Sequence, residues 1–265
     1  MIAGLPTFWT MLDASPHRLL ALDYDGTLAP FRVDRRQAFP LPGVVQALEA
    51  LASRTDTKLA IISGRPLRDL KKLLRLSEGA GLTWVGSHGF EGQRADGETW
   101  TRRLTAMQSE NLLSARRAVE ALGHGARLEN KPSALAFHTR GMESEEAKSL
   151  EKTVYSVWTA LADTAGLRIH AFDGGVEIRV TTADKGQALK EWVNQQAAGA
   201  FVVYVGDDRT DEDAFEVAQG FGGIGIHVGY GETCALGTLA DCEAVLAWLQ
   251  RWARMPTYGK VGGIT

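Results

Sequence analysis

Two acidic residues, Asp23 and Asp25, stand two positions apart directly after an apolar run, within LDYDGTLAP. In an extended strand, side chains two residues apart point to the same side, so a strand end and its following loop can aim both acids at one spot. One carboxylate can then attack as a nucleophile while the other transfers a proton. Gly26 lets the backbone turn tightly beside a bound anion. For this segment alone a plain Asx-rich turn remains the alternative, because Asp-Gly is a common turn dipeptide.

A second acidic cluster occupies GDDRTDED, which also follows an apolar run. Asp207 and Asp208 fall in the predicted strand-end loop, and Asp211 begins the next predicted helix. Together with Asp23, these carboxylates can hold Mg²⁺, which prefers one or two carboxylates plus waters and a substrate phosphate. The helix dipole alone would account for the acids from Asp211 onward, but not for the two in the loop.

Groups suited to phosphate follow two further elements. Ser63 and the backbone of Gly64 come after an apolar run and can donate hydrogen bonds to a phosphoryl group, although Ser63 could also be only a helix N-cap. Lys185 stands in the first turn of a predicted helix and can place a cation on the same phosphate. Asp23, Ser63 and Asp207 each follow a strand, and open parallel sheets bind ligands outside the carboxyl ends of their strands. This convergence favours a phosphoryl-transfer site.

Alternating strands and helices are predicted to position these residues. The first part of the chain predicts strands over 19–22, 58–62 and 83–85, helices from Pro42 and over 67–74, and a hairpin near 96–97. The last part predicts a helix from Asp184, strands over 201–205 and 224–228, and helices over 211–218 and 241–252, with a frayed tail from Pro256. This alternation is typical of a parallel sheet covered on both faces.

The middle of the chain has a different pattern. It predicts a helix over 105–122, a hairpin over 127–139, a second helix with apolar residues at helical spacing over 150–161, and a hairpin over 168–180 that turns at 173–175. We interpret it as a small α+β lid inserted into the α/β chain. The predicted domains are therefore 1–104 and 181–265 for the core, and 105–180 for the cap.

In this order, LDYDGTLAP, IISGRP, ADKGQAL and VGDDRTDEDAF resemble the four motifs of the haloacid dehalogenase superfamily of phosphatases. The resemblance implies an α/β fold, with a Rossmann-like core around a parallel sheet and an inserted α+β cap of the C2 type. It also implies Mg²⁺ as cofactor. The implied roles are nucleophile for Asp23, general acid/base for Asp25, phosphate binding for Ser63, Gly64 and Lys185, metal binding for Asp23, Asp25 and Asp207, and support for Asp208 and Asp211.

Three further segments, GSHGFE, LENKPSALAFHTR and GGVEIRV, resemble signatures of the trehalose-6-phosphate phosphatases. The sequence departs from that family at Val180, where proline is common, and at Tyr24, where phenylalanine is common. The resemblance implies hydrolysis of trehalose 6-phosphate through an aspartyl phosphate. The implied sugar contacts are Arg65, His88, Glu129, Lys131 and Glu177. Taken one at a time, each of the three lid residues is better explained as a charge on a solvated strand face.

Other functions stay open at this stage: a phosphatase for another sugar phosphate such as sucrose phosphate, a phosphomutase, or a catalytically silent sugar-phosphate sensor. The intact acids and Lys185 argue against the sensor.

Composition narrows the setting of this activity. The 265 residues are 45% hydrophobic and 23% charged with a net charge of −3, as in an ordinary soluble globular protein. Without a basic block we expect no nucleic-acid or membrane partner, and no apolar stretch reaches the ~20 residues of a transmembrane helix. The N-terminus lacks the basic start of a signal peptide. Two cysteines give no disulfide framework, so we expect reduced thiols and a cytoplasmic location. Nothing in the sequence demands more than a monomer.

Overall fold

The computed structural model describes residues 7–77, 79–162, 166–172, 174–181 and 184–258. The chain divides into two compact units, the first formed by the residues up to Trp100 together with those from Asp184 onward, and the second by Thr101–Ala183. The predicted domains 1–104, 105–180 and 181–265 remain a proposal about which part acts as core and which as cap.

The elements follow one another in a regular order. The strands are β1 Arg18–Leu22, β2 Thr57–Ile62, β3 Thr83–Gly86, β4 Glu91–Gln93, β5 Thr99–Thr101, β6 Leu128–Lys131, β7 Ala134–His138, β8 Leu167–Phe172, β9 Gly175–Val180, β10 Phe201–Gly206, β11 Ile224–Val228 and β12 Gly237–Leu239. The α-helices are α1 Phe8–Asp13, α2 Val44–Ala52, α3 Leu67–Leu74, α4 Ala106–Ala121, α5 Ser144–Ala162, α6 Lys185–Asn194, α7 Glu212–Gly220 and α8 Cys242–Arg254.

The first unit is built on a sheet with the strand order β12-β11-β10-β1-β2-β3-β4-β5. The strands from β12 to β3 pair in parallel, and β4 pairs with β3 in the antiparallel sense. Every residue of β1 and β10 is buried, as expected for central strands that helices cover on both faces. Leu22 at the end of β1 stands in register with Val205 of β10 and Ile61 of β2, so the loops after these strands leave the sheet at one edge.

Two hydrophobic layers cover the two faces of this sheet. Leu20 and Leu22 of β1 pack into the layer that holds the apolar residues of α1, α2, α3 and α8. The alternate residues Leu19 and Ala21 pack into the other layer, with α6 and α7. A parallel sheet with helices on both faces is the predicted Rossmann-like α/β core, and this prediction is confirmed.

The second unit is an α+β arrangement. Its antiparallel sheet has the strand order β6-β7-β9-β8, and α4 and α5 contact this sheet. Between the helices, Trp158 is fully buried and donates its indole N–H to the carbonyl of Ala115 at 3.0 Å. Thr105 caps α4 in a reciprocal capping box with Gln108, which fixes where this helix starts.

The structure differs from the sequence prediction at a few element ends. Helix α2 begins at Val44, not at Pro42, because Gly43 has φ +99° and cannot continue a right-handed helix. The short elements α1 and β12 were not predicted. The turn predicted at 173–175 includes Asp173, which lies outside the described residues.

The prediction of a frayed tail from Pro256 is wrong as far as Tyr258. Arg54 donates to the carbonyl of Pro256 at 3.1 Å, and the Tyr258 N–H donates to Asp56 at 2.9 Å. Among the described residues, no helix is long and apolar enough to cross a membrane.

Candidate active site

The loop after β1 presents the first acidic pair. The Asp23 N–H donates to Val205 of β10 at 2.8 Å, which continues the sheet one residue past β1. Gly26 has φ +72°, and a Cβ at this position would lie 2.0 Å from a carboxylate oxygen of Asp207. Glycine is therefore required here both by the backbone and by the close approach of the second acidic loop. The predicted convergence of the two acidic loops is present.

Lys185 is the cation of this cluster. Its side chain is 2% exposed, and its Nζ lies 3.1 Å from Asp23 Oδ1 and 2.8 Å from Asp211 Oδ1. Burial alone would lower the pKa of Lys185, but the nearby carboxylates, with Asp211 and Asp23 the strongest, raise it well above the usual value. The ammonium therefore stays charged. Asp184 caps α6 by accepting the N–H of Gln187 at 2.6 Å, which fixes the first turn on which Lys185 stands.

Asp211 stabilises the cluster through hydrogen bonds that both of its oxygens accept. Its Oδ1 accepts Lys185 Nζ and, at 2.6 Å, the hydroxyl of Tyr204. Its Oδ2 accepts the N–H groups of Asp207 at 3.0 Å and Asp208 at 3.1 Å. These four bonds use the ~4 lone-pair sites of a carboxylate, so Asp211 holds the loop and Lys185 in place. Gly206 makes room for it, since a Cβ there would lie 2.2 Å from the carboxylate carbon.

Tyr204 was not among the predicted site residues. A signal was available, because its hydroxyl falls inside an otherwise apolar strand and a buried hydroxyl must find a partner.

Oxygens of Asp23, Asp207 and Asp211 all lie within 4.8 Å of one another. Burial, followed by the charges of Asp23, Asp211 and Asp208, raises the pKa of Asp207 to about 10. Burial likewise raises the pKa of Asp23 well above its usual value, against the opposing effect of Lys185. Lys185 supplies one positive charge to these three carboxylates, and a divalent cation would compensate the other two. The donor set fits Mg²⁺, with Asp23 and Asp207 as carboxylate ligands and Asp211 already saturated.

The side chain of Asp25 lies outside this group because Arg65 binds it. Arg65 Nε and Nη2 each donate to one oxygen of Asp25 at 2.6 Å, and its Nη1 donates to the carbonyl of Arg35 at 2.8 Å. The Arg65 side chain is 4% exposed and that of Asp25 is 25% exposed. Such a two-pronged pair fixes the orientation of a carboxylate as well as its place. The structure thus puts Arg65 on the predicted general acid/base, whereas the family resemblance implied a sugar contact.

The loop after β2 carries the predicted phosphate donors. Ser63 is buried, and its Oγ accepts the N–H of Arg65 at 3.3 Å. The ring of His88 covers Gly64 so closely that a Cβ at Gly64 would lie 2.5 Å from Nε2. His88 is also buried, and its ring lies against the loop from Ser63 to Arg65. We call this segment the phosphate loop because it carries the predicted phosphate donors.

Asp208 differs from the other acids of the loop. Its side chain is 47% exposed, and its Oδ1 lies 3.9 Å from Lys185 Nζ. Burial would raise its pKa, but Lys185 and two hydrogen bonds from Thr210 lower it to about 2. Asp208 is therefore ionised throughout the physiological range and adds negative charge to the rim of the cluster.

In the second unit, the predicted sugar-binding residues occupy one face of the antiparallel sheet. Glu129 of β6 and Glu177 of β9 stand in one cross-strand row, with Ala136 of β7 between them. Lys131 forms a nearly buried ion pair with Glu177, and His138 Nε2 lies 2.8 Å from Glu129 Oε2. His138 was not predicted, although the two-residue period of β7 places it on the same face as Ala136.

This fold places the chain with a class of solved structures. The parallel sheet covered on both faces has the fold of haloacid dehalogenase-like hydrolases. A solved hydrolase of that name from Bacteroides thetaiotaomicron, 15% identical, aligns with a TM-score of 0.62 over 89% of this chain and 99% of its own.

The family follows from a second comparison. The model of the family described as trehalose-phosphatase matches residues 21–240, and the chain belongs to this family. It is 30% identical to the trehalose-6-phosphate phosphatase of Escherichia coli K12 over 231 residues, which cover 86% of this chain and 84% of that protein. It is 32% identical to trehalose-phosphate phosphatase B of Arabidopsis thaliana, over 89% of this chain and 67% of that protein.

Two further similarities complete the comparison. The C-terminal domain of the Candida albicans trehalose-6-phosphate phosphatase has the same fold, with a TM-score of 0.78 at 22% identity over 95% of this chain and 97% of its own. A Mycobacterium tuberculosis protein described as an uncharacterized glycosyl hydrolase is 36% identical over 80% of this chain, but the matched part is only 16% of that protein.

Proposed function

We propose that this chain hydrolyses trehalose 6-phosphate to trehalose and phosphate through a phosphorylated Asp23. The observation that carries the proposal is the buried contact of 3.1 Å between Lys185 Nζ and Asp23 Oδ1, in a chain of the trehalose-phosphatase family. A nucleophilic carboxylate with a permanent cation beside it is the arrangement that phosphoryl transfer needs, since most of the catalysis is positioning and charge stabilisation.

In the first half of the reaction, an oxygen of Asp23 attacks phosphorus and the bond from phosphorus to the sugar oxygen breaks. Asp25, protonated at this stage, gives its proton to the departing oxygen. Lys185, Ser63 and the amide of Gly64 hold the phosphoryl oxygens. Arg65 must release or share the Asp25 carboxyl during this step, because both oxygens of that group are bonded to Arg65 in the structure.

In the second half, water attacks the phosphorus of the acyl phosphate. Asp25, now ionised, takes a proton from that water, and the bond between phosphorus and Asp23 breaks. Inorganic phosphate leaves, and Asp23 returns to its carboxylate form. Once Asp25 has released this proton to solvent, Arg65 can pair with both of its oxygens again, which restores the arrangement seen in the structure.

Mg²⁺ belongs to this proposal as cofactor, with Asp23 and Asp207 as the residues that would hold it and Asp208 and Asp211 in support. Asp25, the third predicted ligand, would join them only when Arg65 releases its carboxylate. When bound, it supplies positive charge to the phosphoryl oxygens. The crowding of buried carboxylates around a single lysine supports this assignment.

The sugar is assigned to the charged face of the second unit. We propose Glu129, Lys131 and Glu177 as contacts to its hydroxyl groups, with Arg65 and His88 on the core side. Charged hydrogen bonds are strong and directional, so a sugar whose hydroxyl groups do not match these positions would bind less well. Lys131 and Glu177 form an ion pair in which each side chain is 6% exposed. This nearly complete burial supports a role that needs fixed geometry. We further propose a monomer in the cytoplasm, where the free thiols of Cys234 and Cys242 would stay reduced.

The decisive experiment measures phosphate release from a panel of phosphorylated sugars, including sucrose phosphate, with Mg²⁺ and with a chelator. We expect trehalose 6-phosphate to exceed the other sugars by orders of magnitude, and the chelator to abolish turnover. Asp23→Asn should have no detectable activity, and Asp25→Asn should lose about 10²- to 10⁴-fold in kcat. Asp69→Asn, at a side chain that is 40% exposed, is the matched control and should behave as wild type. Full activity in Asp23→Asn, or equal rates on all sugars, would refute the proposal.

A further inference from the structure

The turn after β3 has a backbone that ordinary residues avoid. Ser87 has φ +50°, His88 has φ +56° and Gly89 has φ +99°, three left-handed residues in succession. Glycine accepts this conformation freely, but Ser87 and His88 do not. Non-glycine residues stay in such a conformation only where the surroundings enforce it, and such sites cluster where function requires fixed geometry.

The groups that enforce this turn belong to the phosphate loop. The Ser87 N–H donates to the carbonyl of Arg65 at 2.8 Å, and the His88 N–H donates to the carbonyl of Ser63 at 3.0 Å. The His88 ring covers Gly64 between these two carbonyls. The turn and the loop from Ser63 to Arg65 therefore hold each other, backbone against backbone.

Glu91 joins the two segments through its side chain. Its Oε1 accepts the hydroxyl of Ser87 at 2.9 Å and the N–H of Leu67 at 3.0 Å. Leu67 is the first residue of α3, directly after the phosphate loop, and Pro66 before it offers no side-chain cap. One carboxylate oxygen at the start of β4 thus fixes both the strained turn and the end of the phosphate loop.

We propose that Glu91 is a positioning residue for phosphate binding. It acts through Ser87 and Leu67, which set the loop that presents Ser63 and Gly64 to the phosphoryl group and Arg65 to Asp25. The inference rests on the proposed function in one respect, namely that this loop binds phosphate. The working contact is hydrogen-bond acceptance by a single oxygen, so a side chain that keeps this oxygen keeps the function.

The test compares Glu91→Ala with Glu91→Gln, in the full chain with Mg²⁺. Binding of inorganic phosphate is measured by titration calorimetry, and kcat/KM is measured on p-nitrophenyl phosphate, which has no sugar. Glu91→Ala should weaken both by about 10- to 100-fold, the scale of a catalytic group displaced by about 1 Å. Glu91→Gln retains Oε1 and should restore both to near the wild-type values, which a purely electrostatic role of Glu91 would not allow.

Two further variants guard against a loss of folding. Gln93→Ala, two residues along the same strand, removes a bond to Lys71 and should leave phosphate binding unchanged. Ser87→Gly accepts the left-handed backbone, so it should keep the melting temperature while it weakens phosphate binding. A folded Glu91→Ala that binds phosphate like wild type, or a Glu91→Gln as impaired as Glu91→Ala, would overturn the inference. If the wild type binds phosphate but does not hydrolyse trehalose 6-phosphate, the proposed substrate is refuted. The positioning role of Glu91 would not be affected by that result.

Discussion

Asp207 shows how far a single residue can be driven from its ordinary chemistry by its neighbours. Its carboxyl lies against Gly26, within reach of Asp23 and Asp211, and burial with these charges raises its pKa to about 10. In the unfolded chain the same group titrates near ~4. Without a cation, folding must therefore place a proton on Asp207 at neutral pH, and this lowers the stability of the metal-free protein as pH rises.

Replacement of Asp207 by asparagine should expose this cost. A group whose folded pKa is raised stabilises fully below its unfolded pKa of ~4, and that contribution is lost as pH rises toward about 10. We expect metal-free Asp207→Asn to melt at a higher temperature than wild type at pH 8, with a smaller difference at pH 5. Mg²⁺ should raise the melting temperature of wild type but not of the variant, which should be inactive.

Asp208→Asn is the matched control, because the pKa of Asp208 is lowered to about 2. A lowered pKa stabilises above the unfolded value and is lost only as pH falls through the folded one. Asp208→Asn should therefore melt no higher than wild type at pH 8. Equal stability of wild type and Asp207→Asn across this pH range would contradict a raised pKa of Asp207 in the folded, metal-free protein.

At the residue scale, the sequence predicts the groups that stand at strand ends and misses those that act through others. Asp23, Ser63 and Asp207 follow apolar runs, so the topology of a parallel sheet is enough to gather them. The bond from the Tyr204 hydroxyl to Asp211 and the pairing of Arg65 with Asp25 depend on how side chains at the strand ends and in the following loops are directed. No spacing along the chain encodes these contacts.

At the scale of elements, a buried charge cluster links the starts of β1 and β2 to the segment after α8. Asp56, just before β2, accepts from Arg18 of β1 at 3.1 Å and from Arg54 at 2.8 Å. Arg54 also donates to the carbonyl of Met255, past the end of α8, at 2.7 Å. The side chains of this cluster are at most 7% exposed, so each charge depends on its partners for solvation.

Asp56→Asn should destabilise the fold by about 3 kcal/mol, because it leaves two buried guanidinium groups without their counter-charge. Although burial opposes it, hydrogen bonding led by Arg54 lowers the pKa of Asp56. Its contribution is therefore present above the unfolded pKa of ~4 and lost as pH falls through the lower folded pKa. Urea titrations at pH 7 and pH 3 should show a large difference between wild type and variant at pH 7 and a smaller one at pH 3. An equal difference at both values would contradict this assignment.

Element boundaries are predictable where one local signal dominates. The predicted strand over 224–228 matches β11, because its apolar run ends at glycine on both sides. The tail after α8 was predicted wrongly, since its order comes from Arg54 and Asp56, some 200 residues away in the chain. The short β12 is a strand only because β11 lies beside it.

At the scale of the whole molecule, the chain separates two kinds of chemistry. The first unit carries the acids, Lys185 and the phosphate loop, and the second carries a sheet face rich in charged side chains. In our proposal the first unit recognises the phosphoryl group and the second recognises the sugar. This division makes reactivity and specificity separable by mutation.

Lys131→Met should test that separation. It keeps the length of the side chain but removes the charge that pairs with Glu177. We expect kcat/KM for trehalose 6-phosphate to fall about 10²-fold or more, because the variant lacks the ammonium that contacts the sugar in our proposal and pairs with Glu177, whereas kcat/KM for p-nitrophenyl phosphate should not fall. Lys148→Met, on the exposed face of α5, is the control and should leave both unchanged. A parallel loss on both substrates would contradict the assignment of the sugar to the second unit.

The placement of β1 between β2 and β10 has a consequence for how the protein is made. On the ribosome, β1, β2 and β3 emerge early, while the other neighbour of β1 follows only after the whole of Thr101–Ala183 has been synthesised. Until then β1 has an unpaired edge along which Leu19 to Leu22 are apolar, and such an edge is a template for aggregation. The core is completed only when the residues from Asp184 onward have been synthesised, so chaperone demand should be highest before that point.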